Sequence, residues 1–166
     1  MSIDPTAIKM TTDPLTRRFV GIARHGNVPF DVPFVTPITD DLWTGGCENG
    51  LVLPHQVRHL VSLYPWESYK VKHELHTRLE VRQFDDLQGA DDSQMNVLAQ
   101  WVNTCRRTGV VLVHCQAGLN RSSRLAALAL IYDGMDPDDA IALLREKRSP
   151  AVLCNPEMEE WLRSKG

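Results

Sequence analysis

A short apolar run that ends in a cysteine constrains the fold of this 166-residue chain more than any other feature. Residues 110–113 are three valines and a leucine, and they lead through His114 to Cys115. A continuous apolar run of this length predicts a strand that is buried on both faces. A short loop follows, and the apolar residues from Leu125 to Tyr132 then predict a helix. A strand, a loop and a helix in this order favour a layered α/β domain.

Further short apolar segments complete the predicted sheet. The central strands are predicted at Leu42 to Gly45, Leu79 to Gln83 and Val110 to His114. Another strand is predicted at His59 to Leu63, because the run is short and Tyr64-Pro65 stops it. We therefore expect a central, mostly parallel sheet of about four to five strands, flanked by helices.

Three helices are marked by their ends. Ser93 can cap a helix whose apolar positions recur at three- and four-residue steps until Gly109 ends it. Asp136 and Asn155 are each followed by a proline, which is a favoured first residue of a helix. The helix that follows Asp136 is predicted to end near Arg145, Lys147 and Arg148, whose positive charges complement the helix dipole there.

Length and composition fit one globular domain better than a disordered or nucleic-acid-coating chain. Hydrophobic residues make up 43% of the chain, charged residues make up 23%, and the net charge is −3. The proline-rich residues 1–34 are expected to form an irregular arm, and residues 35–166 the domain. No apolar run approaches the ~20 residues of a membrane span, so we expect no membrane partner and a cytoplasmic location.

The loop between the predicted strand and helix is suited to bind an anion. The first N–H groups of a helix lack internal partners and its dipole is positive there, so main chain can bind a phosphate. The same field and a nearby guanidinium favour a thiolate over a thiol, so Cys115 is predicted to be an ionised nucleophile. Arg121, six residues on, has a planar fork that can hold two phosphate oxygens. Gly118 permits a close backbone approach and unusual dihedral angles.

Neighbours of the cysteine have predicted supporting roles. Because a thiolate needs no base, the ring of His114 is expected to hydrogen-bond loop backbone and hold Cys115 in position. The hydroxyl of Ser122 is expected to donate to the sulfur when sulfur becomes the leaving group. The residues predicted to bind the phosphate together with Arg121 are Gln116, Ala117, Gly118, Leu119 and Asn120.

The segment His-Cys-Gln-Ala-Gly-Leu-Asn-Arg-Ser at 114–122 resembles the signature loop of the cysteine-dependent protein tyrosine phosphatase superfamily, especially its dual-specificity class. Leu42-Trp-Thr-Gly-Gly, residues 140–148 and Asn155-Pro resemble that class too, so the likeness covers residues 35–166. The class carries a catalytic aspartate on a loop before the cysteine, often seven residues ahead of a serine that opens the next helix. Seven residues before Ser93 stands Asp86, which the resemblance implies is the general acid, with Asp85 as the alternative.

The resemblance implies a phosphatase that needs no metal and no other cofactor. Its expected partner is a phosphorylated protein or peptide, hydrolysed at phosphotyrosine, and also at phosphoserine or phosphothreonine, through a phosphocysteine intermediate. Uncharged Gln116, Leu119 and Asn120 disfavour a phosphoinositide, because relatives that act on those lipids tend to carry lysines there. An RNA 5′-triphosphatase stays open, because the Asn120-Arg121 pair resembles that branch, but without a basic balance nucleic acid is not an expected partner. A non-catalytic phosphate-binding module is the alternative from another class.

Several histidines and one arginine have simpler interpretations. His55 with His59, and His73 with His76, have spacings that a metal site can use. Neither pair has a convincing companion ligand, so they are interpreted as surface histidines. Arg124 is interpreted as part of a solvated helix face, with assistance in phosphate binding as the alternative.

The remaining cysteines and one group of aromatic residues are open in function. Cys47 and Cys154 are expected to be packed thiols, and a disulfide between either of them and the nucleophile under oxidation stays a hypothesis. Tyr64, Trp66 and Tyr69 stand in a predicted loop. They are candidates to line the substrate entrance, although aromatic residues of a core lid would have the same pattern.

Overall fold

The computed structural model describes residues 22–25, 28–82 and 92–166, and these ranges contain seven strands and four helices. The strands are β1 (Ile22–His25), β2 (Val28–Pro33), β3 (Val35–Pro37), β4 (Leu42–Gly45), β5 (Val57–Ser62), β6 (Thr77–Glu80) and β7 (Val110–His114). The helices are α1 (Asp92–Arg106), α2 (Arg121–Tyr132), α3 (Pro137–Lys147) and α4 (Pro156–Arg163). None of the helices in these ranges has the length and apolar character that crossing a membrane requires.

Strands β3 to β7 form one sheet in the order β3-β4-β7-β5-β6. β3 runs antiparallel to β4, and the other neighbouring pairs are parallel. β7 lies in the middle, where residues 111–113 are fully buried, as its continuous apolar run requires. The predicted α/β domain with a central, mostly parallel sheet is confirmed. Gly45 and Ser62 both pair with His114, so the carboxyl ends of β4, β5 and β7 meet at one edge.

The helices pack around α2. Eleven of its twelve residues are buried, and it contacts the other three described helices as well as β4 and β7. α3 and α4 begin as predicted. The side chains of Asp136 and Asn155 accept hydrogen bonds from the amides of Asp138 and Glu157, at 2.9 and 3.0 Å, which satisfies helix N–H groups that would otherwise lack a partner.

The strand predicted at His59 to Leu63 is Val57–Ser62, and Ser93 lies inside the first turn of α1 rather than at its cap. Two other segments differ more from the sequence prediction. β6 is Thr77–Glu80 rather than Leu79 to Gln83, and it lies at the edge of the sheet rather than at its centre. Its residues alternate between half-buried and exposed, which is typical of an edge strand. Part of the segment expected to be irregular forms an antiparallel pair, β1 with β2. A two-stranded ribbon has only edges, where the missing N–H groups of Pro29 and Pro33 are tolerated.

A buried carboxylate joins the last two helices. Glu159 of α4 is 2% exposed, and its Oε1 accepts hydrogen bonds from Arg145 at 3.2 Å and from Arg163 at 2.8 Å. Burial by itself raises the pKa of Glu159, but the hydrogen bond and charge of Arg145 and the charge of Arg163 lower that pKa on balance. The folded state therefore favours the carboxylate form more than the unfolded chain does.

We expect Glu159→Gln to lower the free energy of unfolding at neutral pH by about 1–3 kcal/mol, because two guanidinium groups lose their shared counterion. Stability from a lowered native pKa is present above the unfolded pKa, about 4.3, and is lost as pH falls through the native value. The difference between wild type and variant should therefore be largest at neutral pH and shrink in acid. Urea unfolding at neutral pH and at about pH 3 measures it. The exposed neighbour gives the control Glu160→Gln, and equal losses in both variants would contradict the assigned role.

Candidate active site

Cys115 follows β7 directly and lies at the base of the loop that leads into α2. Its side chain is buried, at 2% exposure, and its amide donates to the carbonyl of Gly45 at 3.1 Å. The amide of Gly118 donates to the sulfur at 3.2 Å. The hydroxyl oxygen of Ser122 lies 3.4 Å from the same sulfur, so an ionised Cys115 would accept from both groups.

The loop holds its carbonyl groups away from this sulfur. Four consecutive carbonyls, those of residues 116–119, each accept a hydrogen bond from the surrounding structure. The donors are the amide of Cys47 to Gln116 (3.0 Å), the guanidinium of Arg148 to Ala117 and Gly118 (2.8 and 2.7 Å) and the amide of Leu153 to Leu119 (2.8 Å). Because the C=O and N–H of one planar peptide unit point in opposite directions, the amides of this loop are directed toward its interior. Such a ring of amides is an anion-binding concavity.

Two glycines permit this loop to pack against the end of β4. Gly118 has φ +74°, in the region that glycine adopts without strain. A Cβ atom at Gly118 would lie 2.4 Å from the carbonyl carbon of Gly45, and one at Gly46 would lie 2.5 Å from the carbonyl oxygen of Gln116. A side chain at either position would push the loop away from the sheet edge that holds it.

Arg121 is the first residue of α2, directly before Ser122, whose hydroxyl reaches the sulfur of Cys115. It is 8% exposed, and its guanidinium carbon lies 5.2 Å from the centre of the Tyr64 ring. Its Nε is buried and has no hydrogen-bond partner among the described residues. A buried donor without a partner is costly, and an oxyanion bound at the loop would satisfy it.

The ring of His114 is neutral in this environment. Burial lowers the pKa of His114 to about 4, because a charged ring loses its hydration there. Nδ1 lies 3.2 Å from the carbonyl oxygen of Cys115, and since a carbonyl only accepts, Nδ1 carries the proton. The hydrogen bond to Cys115 is the contact expected of a ring that holds this residue in position, a role that stays a prediction. The ring of Tyr69 packs edge-on against the His114 ring, with the ring centres 5.3 Å apart.

The two candidate acids lie outside the described residues. Asp85 and Asp86 fall in the segment 83–91, so their roles stay predictions that rest on the resemblance. Ser93, from which Asp86 was counted, lies in the first turn of α1.

The interpretation of two side chains as solvent-exposed is wrong. Arg124 is 1% exposed, and its guanidinium carbon lies 5.2 Å from the centre of a Trp161 ring, because α2 is covered on nearly all sides. His59 is 3% exposed, and its two ring nitrogens are hydrogen-bonded to the hydroxyls of Thr77 and Thr108, both at 2.9 Å. It is a histidine of the core, satisfied by these two hydroxyls.

Sequence reasoning missed the part that Arg148 has in building the loop. The sequence predicts only that it complements the helix dipole, but its side chain is buried and donates to Ala117 and Gly118 on one side. On the other side it donates to the carbonyl of Pro33 at 3.0 Å and to the hydroxyl of Thr36 at 2.8 Å. Burial lowers the pKa of Arg148 to about 10, which leaves it charged at neutral pH. No spacing rule in the sequence separates this arginine from its surface neighbours.

The side chain of Asn120 is also held from outside the loop. It is 8% exposed, and its Oδ1 accepts from the amide of Asn155 at 3.1 Å, while its Nδ2 lies 3.3 Å from the sulfur of Cys154. The side chain of Asn120 is therefore occupied by the segment before α4, and its role in binding the substrate stays a prediction.

Comparison with known proteins connects this geometry to one family. The family model of the dual specificity phosphatase catalytic domain matches residues 53–166 of this chain. A Trypanosoma cruzi protein tyrosine phosphatase PRL-1 is 38% identical over 86 residues, which are 48% of this chain and 46% of that protein. Human protein tyrosine phosphatase type IVA 3 is 55% identical over 42 residues, 25% of this chain and 24% of its own. The chain thus spans less than half the length of these curated relatives.

Solved structures share the fold over most of the chain. Human DUSP28 has a TM-score of 0.65 at 19% identity, over 80% of this chain and 93% of that structure. The Cydia pomonella PTP-2 phosphatase has a TM-score of 0.62 at 28% identity, over 78% of this chain and 88% of that structure. At 19% identity, the likeness to the human structure concerns the fold alone.

Proposed function

Because this chain belongs to the family of dual specificity phosphatase catalytic domains, we propose that it hydrolyses phosphate esters on proteins. Phosphotyrosine is the main proposed substrate, with phosphoserine and phosphothreonine as further ones. One observation carries the proposal. The amide of Gly118 and the hydroxyl of Ser122 both reach the sulfur of Cys115, at 3.2 and 3.4 Å, in the loop that leads into the helix beginning with Arg121.

In the first step the thiolate of Cys115 attacks phosphorus in line with the leaving oxygen. The P–S bond forms, the P–O bond breaks, and Asp86 gives its proton to the leaving alkoxide or phenoxide. The inward-facing amides and Arg121 hold the three equatorial oxygens, where charge is redistributed in the transition state. The product of this step is a phosphocysteine.

In the second step water attacks the phosphorus of the phosphocysteine. Asp86, now a carboxylate, takes a proton from the water, and the sulfur leaves as a thiolate. The hydroxyl of Ser122 donates to that sulfur as its charge returns. Inorganic phosphate is released, and the starting state is restored.

The side chains of the loop support a protein monophosphate rather than the two alternatives of the same superfamily. Gln116 and Leu119 are uncharged, which does not favour the head group of a phosphoinositide. Asn120, which suggested a triphosphatase, has its amide oxygen bonded to the amide of Asn155. A reduced sulfur nucleophile also requires a reducing compartment, and the proposed location is therefore the cytoplasm.

Turnover of p-nitrophenyl phosphate in excess chelator tests the proposal. We expect hydrolysis by wild type that added divalent metal does not increase. Acid quenching during turnover should trap one phosphate per chain on Cys115, detected by mass spectrometry of the labelled peptide. A protein that binds phosphate but shows no turnover would instead be a non-catalytic binding module, and metal-dependent turnover would contradict the cysteine mechanism.

Asp86→Ala should slow hydrolysis of an ester with a poor leaving group far more than that of a good one. We expect kcat/KM for phenyl phosphate to fall by about 10²–10³, and that for a highly acidic phenol to fall much less, because only the poor leaving group needs a proton. Steady-state kinetics with a series of aryl phosphates measures the slope. Asp85→Ala is the matched control. If Asp85→Ala steepens the slope and Asp86→Ala does not, the acid is the neighbouring residue.

A further inference from the structure

Two aromatic side chains after β5 lie next to the candidate phosphate loop. We call Tyr64 and Trp66 the aromatic wall. Their rings are 5.0 Å apart and tilted by 57°. Tyr64 is partly buried, whereas Trp66 is 52% exposed. Tryptophan and tyrosine are enriched among the residues that supply most of the binding energy at interfaces.

Backbone pairing sets the wall beside the nucleophile. The amide of Leu63 donates to the carbonyl of His114 at 2.8 Å, so the chain entering the wall runs alongside the residue before Cys115. The Tyr64 ring lies under the guanidinium of Arg121, whose carbon is 5.2 Å from the ring centre. The wall therefore begins at the group that would hold the phosphate oxygens.

The far end of the wall is held by another arginine. The guanidinium carbon of Arg82 lies 4.9 Å from the centre of the Trp66 ring. A guanidinium over an aromatic face is attracted to the ring and restricts its orientation. Arg121, Tyr64, Trp66 and Arg82 thus form a continuous row of contacts that leads from the phosphate loop to the surface.

From this row we propose that the aromatic wall binds the ring of phosphotyrosine and favours aryl over alkyl phosphate esters. The inference rests on the proposed function. When the phosphorus of a bound phosphotyrosine lies at Cys115 and its oxygens at Arg121, only the phenolic oxygen separates the ring from the phosphorus. Offset or edge-to-face packing against Tyr64 and Trp66 then covers apolar surface on both partners. Phosphoserine and phosphothreonine have no ring to place there.

Two peptides of identical sequence, one with phosphotyrosine and one with phosphothreonine, test the proposal. Trp66→Ala should lower kcat/KM for the phosphotyrosine peptide about five- to tenfold, mainly through KM, because the lost packing is present in ground and transition states alike. The value for the phosphothreonine peptide should change by less than about twofold. Trp66→Phe should recover most of the loss. Tyr132→Ala, which removes an aromatic side chain of 39% exposure at the far end of α2, is the control.

Binding of two phosphonates separates failure of this inference from failure of the proposed function. By calorimetry, wild type should bind phenylphosphonate more tightly than methylphosphonate, and Trp66→Ala should remove the difference. Wild type that hydrolyses neither peptide would contradict the proposed function, and the phosphonates would then decide the inference alone. Equal binding of the two phosphonates, or an equal loss for both peptides in Trp66→Ala, would overturn the aromatic wall as a selective element.

Discussion

Cys115→Ser is expected to hydrolyse p-nitrophenyl phosphate at least about 10⁴-fold more slowly than wild type. An alcohol at this position has to lose a proton before it can attack. The neighbouring ring of His114 cannot take that proton through Nδ1, because this nitrogen donates to the carbonyl of residue 115 at 3.2 Å. The proposed thiolate nucleophile needs no such base, so the whole loss should appear in kcat.

Binding of phosphate should survive the same change. The inward-facing amides and Arg121 remain in the variant, so the Kd of inorganic phosphate measured by calorimetry should change by only a fewfold. Cys105→Ser is the matched control, because Cys105 is also buried but lies on α1, away from the loop, and its rate should stay within about twofold of wild type. Equal rates for Cys115→Ser and wild type would contradict the proposed mechanism.

Arg121→Lys is expected to lower kcat/KM by about 10³, although the charge is kept. An ammonium cannot hold two equatorial oxygens in parallel, and those oxygens gain most from the guanidinium in the transition state. The loss should therefore be larger in kcat than in KM. Steady-state kinetics on p-nitrophenyl phosphate measures the split. Arg107→Lys, at an exposed position, should leave both constants unchanged, and a loss confined to KM would mean that Arg121 only attracts the substrate.

The parts of the fold that sequence predicted well depend on local patterns. Leu42–Gly45 and Val110–His114 are strands with the predicted bounds. A strand buried on both faces requires a continuous apolar run, which residues 110–113 supply, and the short segment at 42–45 pairs beside it in the sheet. The caps at Asp136 and Asn155 depend on residues only two positions away. The ends of the edge strand at Thr77–Glu80 are predicted less well, because its four residues include only one apolar side chain and so carry little periodic signal.

The parts of the site that sequence did not predict depend on contacts between distant segments. Cys115, Gly118 and Arg121 lie within seven residues of one another, so their spacing alone predicts a loop that they share. The two partners of Arg148 on the N-terminal side, Pro33 and Thr36, are more than a hundred residues away along the chain. Burial of Arg124 follows from helices that surround α2, and a single sequence carries no direct signal of such packing.

The guanidinium of Arg148 is hydrogen-bonded to two separate segments, so we expect the stabilities of these segments to be coupled. One side of it holds the carbonyls of Ala117 and Gly118, and the other holds the backbone at Pro33 and the hydroxyl of Thr36. An oxyanion that stabilises the candidate phosphate loop is expected to stabilise the attachment of the segment at Pro33 and Thr36 as well. By linkage the effect is reciprocal, so detaching the segment should weaken the affinity for the oxyanion by the same factor.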